Sequence, residues 1–312
     1  MSGKDRIQLS DHFTYRRLFT FVLPTIANMI FLSVYGIVDG LFISNFVGKV
    51  AFASVNVTFP IFSVLGVFGL MLGTGGSAII GKKLGEQEPE KANGYFSFFV
   101  FVCIAVGIVM AVAGVFILRP AIELIGVEQE MVHYCMVYGL IGMITLPCYM
   151  LQYLFQILFV TAEKPRLGFW ITVITGCINI VLDFFLIVVF HWGVAGAAVA
   201  TGISELIGGI TPLIYFSRPN DSLLRIGRPR VEFPALRKAC SNGLSDSFPL
   251  FLSQSFRCCT TSSFCGWRGL TTWRPLASCS TARSSSSRSS QDTTWVSSLC
   301  SATTSERRTV WR

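Results

Sequence analysis

The stretch "LFTFVLPTIANMIFLSVYGIVDGLFI", residues 18–43, contains one charged side chain, Asp39, among uninterrupted apolar and small residues. It exceeds the ~20 residues a helix needs to cross ~30 Å of hydrocarbon. In lipid each backbone N–H and C=O must be bonded within its own segment, so a run this continuous is expected to be a helix. Five similar runs follow, at roughly 51–80, 95–118, 132–160, 168–190 and 194–216. Their glycines and prolines ("GLMLGTGGSAIIG" at 69–81, Pro24, Pro60, Pro147) are tolerated in membrane helices, where they allow bends and close packing. Composition agrees. The 312 residues are 52% hydrophobic and 13% charged, against about a quarter charged in soluble domains. The expectation is an all-α polytopic membrane protein with a six-transmembrane-helix bundle. The polar opening, "MSGKDRIQLSDHFTYRR", does not read as a cleavable signal.

The formal charge of +8 could suggest a nucleic-acid partner, but the placement of the basic residues argues otherwise. With the N-terminus inside, the internal segments up to residue 238 hold fifteen Lys and Arg, among them Arg16, Arg17, Lys82, Lys83, Lys164 and Arg166. The external turns hold only Lys49 and Arg119. This is a positive-inside distribution, and it predicts six spans in a cell membrane with both ends of the bundle cytoplasmic. The expected partner is membrane lipid and not nucleic acid. Past Leu252 the chain becomes rich in Ser, Thr, Arg, Cys and Trp, with neither helical nor strand period, and an irregular tail is expected.

Asp39 is the first candidate for function. A carboxylate at mid-span costs about 2.5–3.5 kcal/mol on insertion scales, so it normally faces a cavity or a partner. Its alternative is a place at the outer interface. In "CINIVLDFFLI", Asn179 and Asp183 are four apart and share a helix face, either as a cation site or as a polar pair joining helices. Thr201, in "GVAGAAVATGISE", joins them or simply bonds its own backbone. Glu205 is either a pathway acid or a group near the inner surface. Two carboxylates, an amide and a hydroxyl form an all-oxygen set suited to a hard cation such as Na⁺, and buried carboxylates can also carry protons.

Other motifs fail. "GSAIIGKK" at 76–83 nearly matches a phosphate-binding loop, but Lys83 stands where a Ser or Thr should hold Mg²⁺, and no strand precedes it. The ten Cys form no C-x-x-C pair, and Cys103, Cys135, Cys148 and Cys177 read as small core residues. His12, His133 and His191 are scattered. The triplet at Asn56 lies within a span and that at Asn220 on the cytoplasmic side, so neither is expected to carry glycan. No enzyme activity and no cofactor are expected.

The order of "LPTIANMIFLSVYGIVDGLFISNFVG", "GTGGSAIIGKKLGEQEPEKA", "LFVTAEKPRLG" and "NIVLDFFLIVVFHWGVAGAAVATGISE" resembles the multidrug and toxic compound extrusion (MATE) transporters over about residues 15–245. The resemblance implies one lobe of a two-lobe, 6+6 helical fold. It further implies export of bulky, often cationic organic compounds in exchange for Na⁺ or H⁺. It assigns the cation- or proton-coupling role to Asp39, Asn179, Asp183 and Thr201, the set already selected on physical grounds. The implied division is 1–17 as a cytoplasmic N-terminus and 18–217 as the six-helix lobe. Residues 218–245 would be a basic cytoplasmic linker and the start of a seventh span, and 246–312 a non-native or disordered tail. The family continues after Ser245 into that seventh span. Codons for "CCTTSSFCGW" at 258–267, read one nucleotide earlier, permit "[VLM]L[YH]N" and then "[MLV]AG", as in the family's "MLYNFQLMRLAG". A frame shift between about Ser245 and Cys258 is therefore expected, with the second lobe absent and little transport left. Alternatives are a flippase of lipid-linked substrates with a similar plan, and a membrane fragment or half-size protein acting as a homodimer. The oligomeric state, the substrate and the choice of Na⁺ or H⁺ stay open.

Overall fold

The structure is a computed structural model, and it describes residues 15–219 and 222–267. Helices α1 (Tyr15–Phe42), α2 (Lys49–Gly85), α3 (Pro89–Ile125), α4 (Gln129–Thr161), α5 (Pro165–Asp183), α6 (Val194–Ser217) and α7 (Phe233–Trp267) follow in order. Among the described residues six apolar segments, Ile26–Val47 and then those of α2 to α6, are long enough to cross a membrane. The 37-residue α2 and α3 reach about 55 Å at 1.5 Å per residue, so they extend beyond the hydrocarbon. The outer surface is apolar: Phe116, Leu124 and Ile144 are each at least three-quarters exposed. In water such a surface would aggregate, whereas in lipid it is the expected facing.

Short connections make successive helices antiparallel, and local chemistry stops each one. At both 84–89 and 160–165 a residue in the left-handed region, Gln87 (φ 58°) or Glu163 (φ 57°), stands two places before a proline. The Glu88 N–H bonds the Lys83 carbonyl and the Lys164 N–H that of Phe159, each reaching back five residues. This is the Schellman arrangement, which satisfies carbonyls left open at a helix end. Pro89 and Pro165 then open α3 and α5, where a missing N–H costs nothing. The first turn is held by charge as well. Lys83 Nζ donates to Glu86 Oε2 (2.6 Å) and Glu88 Oε2 (3.0 Å), and Lys91 Nζ to Glu88 Oε1 (2.6 Å). These bonds hold the Glu86 and Glu88 carboxyls below the ordinary glutamate pKa.

The centre of the bundle is α4, packed against α2, α3 and α6. Phe96, Phe155 and Phe216, from three helices, are each almost fully buried and meet at ring separations of 5.1 to 6.3 Å. Gly69 sets the α2–α4 approach, since a Cβ there would lie 2.3 Å from the Met150 carbonyl oxygen. Cys103 and Cys135 are core residues as expected, whereas Cys177 faces outward.

Residues 222–232 fold back along the start of α3. The Arg230 N–H bonds the Gly94 carbonyl (3.1 Å), the Arg225 N–H bonds Asn93 Oδ1 (2.9 Å), and the Tyr95 hydroxyl donates to Glu232 Oε2 (2.6 Å). The segment expected as a linker is thus a strap built onto the bundle. Helix α7 then lies along α2, with the Gly75 and Gly243 faces in backbone contact. It runs beyond the expected boundary at Ser245, to Trp267; backbone hydrogen bonding continues a helix through residues whose side-chain pattern shows no helical period. The remainder of the expected tail, residues 268–312, lies outside the described residues, as do residues 1–14 of the expected cytoplasmic N-terminus and Asn220.

The Gly69 contact is testable. Gly69→Val should destabilise the bundle by about 1–3 kcal/mol through overpacking, read as a lower thermal midpoint in detergent. Gly81→Ala, where a Cβ meets nothing within 4 Å, should leave the midpoint unchanged or slightly raised.

Candidate functional site

Helices α1, α5 and α6 bring the four coupling candidates together. Asp39 lies on α1, four residues before the Ile43–Val47 segment, and is partly buried within the bundle. Asp183 is the last residue of α5, and Asn179 sits one turn earlier; both are fully buried. The carboxyl groups of Asp39 and Asp183 lie within hydrogen-bonding reach of each other. With the Asn179 amide oriented to satisfy its neighbours, its nitrogen donates to Asp183 Oδ2 (3.1 Å) and its oxygen accepts from the Thr201 backbone N–H (3.2 Å). One asparagine thereby ties α5 to α6 and orients an acid. The Thr201 side chain lies beside Tyr138 of α4 on the same cavity wall.

This geometry leaves an electrostatic debt. Two unit negative charges about 4 Å apart repel by roughly 4 kcal/mol even at an effective dielectric of about 20. Asp39 Oδ1 and Asp183 Oδ1 are moreover buried without a hydrogen-bond partner, a situation rare for polar groups in folded proteins. A proton shared by the pair, or a cation between them, removes both problems. Bare carboxylate oxygens beside an amide and a hydroxyl fit a small hard cation in donor type. Among the described residues there is no cluster of three His, Cys, Asp or Glu, the signature of a transition-metal site.

Backbone register changes just beyond both acids. After α1 the chain continues as a π-helical segment, Ile43–Val47, and after α5 as another, Phe184–Val189. Such wide turns shift the hydrogen-bond ladder by one residue and are frequent at functional sites. Sequence reasoning did not find them, because nothing in "FISNFV" or "FFLIVV" distinguishes a π turn from an α turn.

Asp39 also lines a cavity of about 480 Å³ between α1, α2, α4, α5 and α6. Glu205 lines it as well, and the Thr145 hydroxyl donates to Glu205 Oε2 at 2.8 Å. Glu205 falls at the midpoint of α6 and not near either end. Among the described residues of the cavity wall Asp39 and Glu205 are the two carboxylates, and none is Lys, Arg or His. The α4 face of this wall, including Tyr138, Tyr149, Gln152, Tyr153 and Gln156, was not anticipated from sequence. Its signal was available as polar side chains recurring at helical spacing in an otherwise apolar run.

The fold and site together define a polytopic membrane protein with acidic groups held inside a six-helix bundle around a polar cavity. The MatE family model matches residues 24–185, and the chain belongs to that family. It is 29% identical over 209 residues to the multidrug export protein MepA of Staphylococcus haemolyticus (strain JCSC1435), covering 67% of this chain and 46% of that one. To MepA of Staphylococcus aureus (strain MRSA252) it is 23% identical over 221 residues, covering 70% and 49%. The chain therefore spans about half the length of the curated relatives it matches. In fold it is similar to an inward-facing multidrug resistance MATE family transporter of the MOP superfamily (TM-score 0.69, 19% identity, 74% of this chain and 52% of that one). It is likewise similar to a MOP superfamily transporter from Pyrococcus furiosus Vc1 (TM-score 0.71, 20% identity, 77% and 54%).

The Asn179 tie makes its own prediction. Asn179→Ala should remove the donor to Asp183 and cost about 1–3 kcal/mol, measured by thermal unfolding in detergent. The same midpoint as wild type would show that the tie is not made.

Proposed function

We propose that residues 18–217 form the first lobe of an ion-coupled exporter of small, often cationic organic compounds, working in a cell membrane with the N-terminus cytoplasmic. The observation that carries this reading is the apposed Asp39–Asp183 pair with its bare oxygens, set beside a cavity of about 480 Å³ whose described lining includes no basic side chain. Cavities of this size suit drug-sized ligands, for which ~300–1,000 Å³ is usual. Membership of the MatE family and the similarity to multidrug export proteins support the same reading.

In the proposed cycle, Na⁺ or H⁺ enters the bundle and binds Asp39 and Asp183, with Asn179 orienting Asp183 and the Thr201 hydroxyl adding an oxygen beside them. Binding cancels the repulsion between the carboxyl groups and lets α1 and α5 close together. Because Asp39 belongs to both the pair and the cavity wall, the charge it presents to cargo depends on whether the ion is bound. Exchange follows when ion and cargo favour opposite conformations. Alternating access of this kind rocks one bundle against another, and the described residues supply one. A flippase of anionic, lipid-linked substrates is the second reading; the acidic cavity disfavours it, because anionic head groups would need basic partners. The tail from about residue 246 is read as the product of a frame shift, a point that resequencing the gene decides.

Two outcomes are expected. In a two-lobe version of the protein, Asp183→Asn should abolish drug resistance at unchanged expression, and undiminished resistance would refute the role given to the pair. The 312-residue chain, reconstituted alone in proteoliposomes under a Na⁺ or H⁺ gradient, should give no drug efflux above empty vesicles.

A further inference from the structure

The two acids on the cavity wall are held differently, and the difference separates their tasks. Asp39 is backed by a second carboxyl group, Asp183, so that site carries more negative charge than it can hold without a small cation or proton. Glu205 is backed by a neutral hydroxyl, Thr145, at 2.8 Å, and is 8% exposed midway along α6. Among the described residues no basic side chain lines the cavity to neutralise it.

The setting of Glu205 is built by close helix packing. A Cβ at Gly209 would lie 2.7 Å from the Cys148 carbonyl oxygen, and one at Gly202 would lie 2.9 Å from Thr145 Cγ2. Glycines on both sides of Glu205 thus let α6 press against α4, which brings Thr145 to the carboxylate. Beside it on the cavity wall stand the rings of Phe59, Tyr149 and Tyr153. Tyr149 and Tyr153 meet edge to face at 4.8 Å and 89°, and the Tyr149 hydroxyl donates to that of Tyr153 at 3.2 Å. Tyr149 is further packed against Phe62 at 4.4 Å. A fixed aromatic corner next to a lone carboxylate is the chemistry that recognises a desolvated organic cation, through charge pairing and ring-face attraction.

We propose that Glu205, with Phe59, Tyr149 and Tyr153, is the cargo subsite of the cavity and takes monovalent organic cations of aromatic bulk, leaving the Asp39–Asp183 pair to the coupling ion. The proposal rests on the reading of the cavity as an export site. It deepens that reading by naming the residue that selects for charge.

The test is equilibrium binding to the 312-residue chain in lipid nanodiscs, using tetraphenylphosphonium and the neutral triphenylphosphine oxide as probes. Glu205→Gln keeps the side-chain volume and an oxygen for Thr145. It should weaken tetraphenylphosphonium binding by about tenfold or more while changing the neutral probe less than about twofold. Equal weakening of both probes would mean that Glu205 acts through cavity shape, and would overturn the proposal. So would unchanged tetraphenylphosphonium affinity, or no saturable binding to wild type. A loss of the cationic probe in Asp183→Asn but not in Glu205→Gln would place charge recognition at the pair instead. Sodium-22 binding and proton uptake by titration, compared between wild type and Asp183→Asn, bear on the ion site alone, so failure of the coupling reading is told apart from failure of this one.

Discussion

Two carboxyl groups held against each other in a medium that cannot solvate them are the constraint around which this bundle is organised. Asp39 and Asp183 come from helices far apart in the chain, and each keeps one buried oxygen without a donor. A structural polar pair would be expected to use up its hydrogen-bonding capacity, because burial makes every unmet group expensive. Here the bonds provided are those that orient the pair: Asn179 donates to the outer oxygen of Asp183 and fastens α5 to α6.

The rest of the bundle keeps that arrangement rigid on one side and open on the other. Helix α4 is locked to α2, α3 and α6 through glycine contacts and a cluster of phenylalanine rings. Its polar face, with Tyr138 and Thr145, reaches toward Thr201 and Glu205. On the open side α1 forms a wall of the cavity, so Asp39 is accessible from within the cavity while Asp183 is fully buried. Asp39 is therefore the member of the pair that faces the cavity. The π-helical segments that follow α1 and α5 lie next to these acids in the chain, where a change in helix register would move them most directly.

The chain spans about half the length of its curated relatives, yet its description does not stop at the sixth membrane helix. The strap at 222–232 is bonded to the start of α3, and α7 is seated against α2. The connection leaving the six-helix bundle is thus anchored at its root, so movement of anything beyond it would pull on α2 and α3.

By itself the sequence determined the number and approximate limits of the spans, since apolar length against bilayer thickness leaves little choice. It also singled out Asp39, Asn179, Asp183, Thr201 and Glu205, because a polar group in hydrocarbon is costly enough to stand out in any single span. The tertiary structure alone decided their grouping: Asp39 and Asp183 are 144 positions apart, and helical spacing says nothing about which helix faces which. The same holds for Glu205, whose depth and whose bond to Thr145 depend on how closely α6 approaches α4. The tyrosines of α4 were overlooked because each, taken singly, reads as an ordinary membrane residue, and only the packing of five helices turns their shared face toward a cavity. The π turns were hidden for a different reason. They depend on how a backbone ladder closes under tertiary contacts, and apolar side chains of similar propensity carry no mark of it.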